Sequence, residues 1–177
     1  MIMTINELRQ FITTDEKDTV LEAKLQALEL LIRSYTHNNF QDRNRRVKCD
    51  ISTINGLHFA SMLFSVGDTI QVSNSAYNSG LYIITDIDMD NGYMKLNEPL
   101  IDESDALVTK ITYPADIKMG IVNMMKWDLE NRDKVGIQSE TISRHSVTYF
   151  NMDGDNSTMG YPKSLLGFLK PYMKARF

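Results

Sequence analysis

The sequence predicts an α+β protein: a small helical bundle, two long helices plus short terminal helices, with a small β-barrel-like module inserted between them. Three observations predict it. Apolar residues recur at helical spacing in two widely separated stretches. Between those stretches the helical period gives way to short β-rich runs divided by turn residues. At 177 residues the chain is long enough to bury about 70% of its unfolded surface and so to build its own core. The helical core is expected from residues 1–40 and 114–177, and the inserted β module from 41–113.

Thr4 is placed to cap a short helix through Phe11. Thr13 and Glu16 have the spacing of a capping box, so a second helix is expected to start there, with Asp15, Glu16 and Asp18 at its positive end. Leu21, Leu25, Leu28, Ile32 and Tyr35 then form one apolar stripe. The stripe reads as a core face, or as a face that also seals against a neighbouring copy. His37-Asn38-Asn39 mark its end. The third helix is expected to open at Pro114, whose missing N–H costs nothing in a first turn. It carries Ile117, Ile121, Met124, Met125 and Leu129 and ends near Arg132–Lys134, with Gly136 as a stop. The two partner helices are expected to pack on each other, since neither is stable alone.

In the module, strands are expected at Arg46–Ile51, Leu57–Phe64, Asp68–Val72, Leu81–Asp86, Tyr93–Leu96 and Leu107–Tyr113. Asn91-Gly92 supplies the positive φ of a tight hairpin turn, so Leu81–Asp86 and Tyr93–Leu96 should be antiparallel neighbours. Runs at this spacing predict a small barrel or sandwich of SH3-like or OB-like size.

After Gly136, an alternating stretch (Ile142, His145, Val147, Tyr149) reads as strand and Asn151–Tyr161 as a polar loop. Pro162 opens a last short helix with Leu165, Leu166, Phe168 and Leu169, which Pro171 should end or kink. The closing residues are basic and aromatic with no acid among them. Such a tail needs a partner, either its own core or another chain.

Composition excludes several function classes. A net charge of -4 argues against a dedicated nucleic-acid binder. The single cysteine, Cys49, excludes an intramolecular disulfide framework and a cysteine-built zinc site. No apolar run approaches the span of a bilayer, and the N-terminal residues lack the basic and apolar regions of a secretory signal. The histidines His37, His58 and His145 have no metal-ligand spacing, and no nucleophile or phosphate-loop motif is present. Asn151-Met152-Asp153-Gly154-Asp155-Asn156 has half a calcium loop's acids, but Asn156 stands where glycine is needed and Pro162 where glutamate is. Arg43-Asn44-Arg45-Arg46 is a solvated or salt-bridged cluster before it is a phosphate contact. Glu98, Asp102, Glu103 and Asp105 read as an acidic rim, not as a catalytic pair. The expectation is a chain that is not an enzyme and holds no metal or cofactor.

Two blocks of the sequence resemble the head–tail connector (adaptor, or head-completion) proteins of long-tailed phages. One is Ile32-Arg33-Ser34-Tyr35-Thr36-His37-Asn38-Asn39-Phe40, similar to that family's first helix with its tyrosine, asparagine-rich corner and aromatic. The other runs from Trp127 through Tyr149 and on to Gly160–Tyr172, similar to its helix, glycine, Ser-Glu stretch, strand and short final helix. Residues 41–113 have no counterpart in the minimal helical members.

The resemblance implies a structural protein of the virion neck, made in the host cytoplasm. It implies a homo-oligomeric ring of about twelve copies beneath the portal, extending the DNA channel and offering a platform to the next neck or tail protein. DNA would pass without specific binding, which the net acidity suits. By position, the portal-binding segment would comprise Tyr161, Lys163, Leu165, Phe168, Lys170, Tyr172, Met173, Lys174, Arg176 and Phe177, disordered until it docks. The alternatives are another neck component, such as a stopper or tail-completion protein, or a small nucleic-acid-binding module.

Overall fold

The computed structural model describes residues 1–54, 56–135, 137, 139–142, 145–148, 152–153 and 155–175, and of 134, 139–142 and 145–147 the backbone alone. Asn55, Gly136, Gln138, Ser143, Arg144, Tyr149, Phe150, Asn151, Gly154, Arg176 and Phe177 lie outside the described residues, and with them the expectations that rest on them. The chain divides into two compact units, one of Met1 and Asn38–Tyr113, the other of Ile2–His37 and Pro114–Phe177.

The first unit is a closed antiparallel barrel. Its strands are β1 (Gln41–Ser52), β2 (Gly56–Leu57), β3 (Thr69–Ser73), β4 (Gly80–Asp88), β5 (Tyr93–Leu96) and β6 (Glu103–Ile111), in the order β1-β2-β5-β4-β3-β6. Closure leaves the alternate residues of each strand facing one interior. Cys49 and Ile51 of β1, Ile70 and Val72 of β3, and Ala106 and Val108 of β6 fill it, with Leu57, Ile84, Met94, Leu100 and Phe64. The β4–β5 hairpin turns where Asn91-Gly92 demands it: Gly92 has φ +76° and its N–H donates to the Asp88 carbonyl at 2.9 Å.

One strand is much shorter than its composition predicts. Of Leu57–Phe64 only Leu57 is in a strand; with Gly56 it forms β2, which bridges β1 to β5 through the pairs Ile51–Leu57 and Leu57–Met94. Gly56 has φ +80°, and a Cβ there would meet the Met94 carbonyl oxygen at 2.3 Å. The chain beyond it leaves the ladder, and Phe59 and Phe64 pack edge to face, 6.0 Å between centroids, against the core.

The barrel is entered and left at one place. Gln41 pairs with Ile111, the Thr112 N–H donates to the Phe40 carbonyl at 3.0 Å, and the Phe40 and Tyr113 rings stand 4.9 Å apart. Residues 53–54 and the loops 74–79 and 97–102 cluster around the opposite end. There β1 finishes beside the start of β6 (Ile51–Glu103), and β3 runs toward the same end (Ser73–Leu107).

The second unit holds α1 (Ile5–Arg9), α2 (Asp18–Thr36), α3 (Ala115–Asn131), a one-turn 3-10 helix at Arg132–Lys134, and a longer 3-10 helix at Lys163–Tyr172. It also holds two hairpins, β7 (Ser139–Ile142) with β8 (His145–Thr148), and β9 (Ser157–Thr158) with β10 (Tyr161–Pro162). Thr4 caps α1 by accepting from the Glu7 N–H at 3.1 Å. The expected capping box at Thr13 is absent, and α2 starts at Asp18. Arg9 explains the delay: its guanidinium donates to the Thr14 and Glu16 carbonyls and to the Asp18 carboxylate, holding the intervening chain out of the helix. His37, left-handed at φ 49°, ends α2. Leu21, Leu25, Leu28 and Ile32 are buried on one face of it, as are Ile117, Ile121, Met124 and Met125 of α3.

The expected fold class needs correction. The chain is α+β, but it is not a helical bundle carrying a β module. Its largest regular architecture is the closed six-stranded barrel, and the helical residues share their unit with two hairpins. The two long helices do meet, Lys24 of α2 bonding Asp128 of α3, but they are not each other's main partners. The C-terminal 3-10 helix, more than α2, covers α3. Leu166 and Leu169 are buried three residues apart, the repeat of a 3-10 helix.

Candidate interaction surfaces

Asp128 on α3 is the electrostatic centre of the second unit. Its carboxylate, 7% exposed as a residue, accepts from Lys24 Nζ of α2 at 2.5 Å, from Arg132 Nε at 2.6 Å and from the Tyr161 hydroxyl at 3.2 Å. Burial pulls its pKa up, but the hydrogen bonds and charges of Lys24 and Arg132 outweigh that and hold it below the usual carboxylate range. Arg132 lies over the Trp127 ring at 5.2 Å and the Tyr161 ring at 4.8 Å, and donates to the Gly160 carbonyl at 3.0 Å. Burial pushes the Tyr161 hydroxyl up to about 12, and the Asp128 charge adds to the effect. The adjoining cleft, about 230 Å³, is lined by Lys24, Leu28, Asp128, Arg132 and Tyr161 among others. That is below the size of a usual small-molecule site, and its polar groups are spent on one another. The cluster is a clasp that seats the chain entering the C-terminal 3-10 helix.

The ten residues expected to bind a portal therefore divide. Tyr161 is buried in the clasp, and the Phe168 ring lies on Gly120 of α3. The Tyr172 hydroxyl contacts both Asp116 oxygens at 2.8 Å, and Leu165 is half-buried. Lys163, Lys170, Met173 and Lys174 are exposed, although Lys163 Nζ reaches the Asp155 carbonyl and the Lys174 N–H donates to the Thr36 carbonyl. Arg176 and Phe177 are outside the described residues. The segment through Lys174 is seated on its own unit.

The second surface is the loop end of the barrel, which sequence reasoning missed except as an acidic rim. Asp102 accepts from the Thr53 N–H at 2.6 Å and its hydroxyl at 2.9 Å, tying loop 97–102 to the chain leaving β1. Asn78, 2% exposed, behaves as a piece of backbone: its amide donates to the Ile101 carbonyl at 2.9 Å and its carbonyl accepts from the Ile101 N–H at 2.8 Å. Glu103 accepts from the Ser75 hydroxyl, the Ala76 N–H and the Asn78 amide, tying loop 74–79 to the start of β6. Those donors hold both carboxyls below their ordinary pKa, so the braces stay ionised near neutrality. Each loop then carries one large apolar side chain outward: Ile54 at 85% exposure, Tyr77 at 70% and Ile101 at 56%. Each stands next to a bracing residue. The visible signals were Asn and Asp in turn segments, where such side chains bond backbone.

Elsewhere the expected chemistry takes ordinary roles. Asp153 organises a turn by accepting from the Asp155 and Asn156 N–H groups. In the basic cluster, Arg45 faces Asp42 at 3.5 Å and Arg46 donates to Thr109 and Gln41. Burial pushes the Cys49 thiol up to about 11. His37 and His58 are exposed on separate units. Among the described residues no three of His, Cys, Asp and Glu could hold a metal ion, and no helix is long and apolar enough to cross a membrane. Compared with known proteins, the chain matches no family model and no curated sequence.

Proposed function

We propose that this chain is a structural connector, not an enzyme, and that it works in the neck of a long-tailed phage as an adaptor. In this reading it assembles as a ring under the portal, extends the DNA channel, and offers a docking platform to the next neck or tail protein, such as a stopper. The observation that carries the reading is the braced loop end of the barrel. Large apolar side chains held outward on rigid loops are a feature of protein–protein contact, not of a substrate cavity. The resemblance of the two sequence blocks to phage connectors supplies the particular assembly. The exposed cations of the C-terminal segment, Lys163, Lys170 and Lys174, supply a second contact surface.

A nucleic-acid-binding module is disfavoured on a specific ground. The β4–β5 hairpin carries Asp86, Asp88 and Asp90, and strand-binding barrels need cations and free aromatic faces there.

The test is to mix the full chain with portal rings from the same virus and measure the mass of the complex. A stoichiometry matching the portal ring is the expected result. A chain that neither joins the portal nor assembles on it overturns the adaptor reading.

A further inference from the structure

The loop end of the barrel has a surface chemistry with a complement elsewhere in the same chain. Ile54, Tyr77 and Ile101 project from three loops that cross-brace one another. The same end carries exposed acids: Asp102 bonds Thr53, beside Ile54, and Asp50 accepts from the Asp105 N–H at 3.1 Å, with Lys48 and His58 as exposed bases on the same chain stretches. The C-terminal segment is the reverse. No Asp or Glu follows Asp155, and Lys170, Met173 and Lys174 stand exposed at the end of the 3-10 helix. Met173 is 49% exposed and its backbone is already extended, with φ -66° and ψ 131°. An exposed methionine flanked by cations suits an apolar, acid-flanked platform, because desolvated side chains anchor the contact while the charges set its orientation.

We infer that the loop end of the barrel docks the C-terminal segment of a second copy: Met173 packs on Ile54, Tyr77 and Ile101, while Lys170 and Lys174 face Asp50, Asp102 and Asp105. The contact is heterologous, since one copy's platform takes the other's segment. Repeated, it generates a ring when the rotation closes and a filament when it does not. The braces matter because the loops are held in place before association, so little ordering entropy opposes it. The inference deepens the adaptor reading by naming the contact between neighbours, and rests on that reading only for the ring.

The experiment is sedimentation of the full chain at concentrations up to about 100 μM. Two variants are compared with it, Ile54→Asp on the platform and Lys170→Glu/Lys174→Glu on the segment. Self-association that either variant weakens at least about tenfold is expected. Mixing the two variants should restore a pair but nothing longer, because each keeps one intact half of the contact. Tyr77→Ser repeats the platform test with a substitution that adds no charge, and thermal melts confirm that every variant folds. A chain that stays monomeric throughout, or an association that both variants leave untouched, overturns the inference. Portal binding is measured separately. A wild type that joins the portal while both variants do so equally well keeps the adaptor reading and sinks this contact. Self-association through this contact without any portal binding does the opposite.

Discussion

The ring of Phe168 lies against the bare Cα of Gly120: a methyl group built there would sit 2.3 Å from the ring carbons. The absence of a side chain on α3 is what lets the C-terminal 3-10 helix approach it. Gly120→Ala should cost about 1–3 kcal/mol by overpacking, although alanine is the better helix former by about 1 kcal/mol. Phe168→Leu in the same chain should return part of that loss. Urea unfolding of the two single variants and the double variant measures the coupling, and strictly additive effects would refute the packing argument.

Asp128 is expected to matter more than an exposed ion pair would. Asp128→Asn leaves Lys24 and Arg132 facing a neutral amide. Both partners are about a third exposed, so the loss should be about 1–3 kcal/mol, less than for a fully buried triad. The pH dependence has a definite sign. A carboxyl with its folded pKa depressed contributes stability above its unfolded value, about 4. It loses that contribution as pH falls through the folded value. Melting temperatures from pH 7 down to about pH 2 should therefore drop less steeply for Asp128→Asn than for the wild type.

Two glycines with similar backbone angles should respond very differently to the same substitution. Gly92, φ +76°, has nothing within 4 Å of its would-be Cβ. Gly92→Ala should cost about 1–2 kcal/mol, the strain of a left-handed residue alone. Gly56, φ +80°, adds a collision with the Met94 carbonyl, which cannot move without opening the barrel. Gly56→Ala should cost about 3 kcal/mol or more. Equal melting temperatures for the two variants would show that β2 does not close the sheet.

Cys49 should be chemically silent while the barrel is folded. Its thiol is pushed up to about 11, chiefly by burial, with the Asp50 charge adding to it. A disulfide reagent at pH 8 should react at the rate of barrel opening and immediately in denaturant. Fast modification of the folded chain would contradict the placement of Cys49 in the core.

Much of the local structure was legible, and the reason is periodicity. Leu21, Leu25, Leu28 and Ile32 declared a helix face, and Asn91-Gly92 declared a turn, because each rests on short-range geometry. Where α2 begins was not legible. The Thr13 capping signal lost to Arg9, whose guanidinium gathers two carbonyls and a carboxylate from residues five to nine positions on. Leu57–Phe64 had β composition, yet Phe59 and Phe64 serve the core from outside the ladder. Burial satisfies an aromatic residue whether or not its backbone is paired. The platform was hidden for another reason. Ile54, Tyr77 and Ile101 lie far apart in sequence, and only Asn78, Asp102 and Glu103, which read as ordinary loop polarity, bring their loops together. Sequence reasoning saw the acids and missed what they hold.

The hydrogen bond between Thr112 and Phe40 carries a topological consequence. To the chain on either side, the whole barrel amounts to a connection whose two ends already touch. The entropy of closing a loop depends on how far apart its ends are free to wander, and a folded barrel with adjoining termini allows almost no wandering. Residues 41–111 thus behave as a cassette. Replacing them with a two- or three-residue turn, or with another domain whose ends adjoin, would not lengthen the path between the flanking segments.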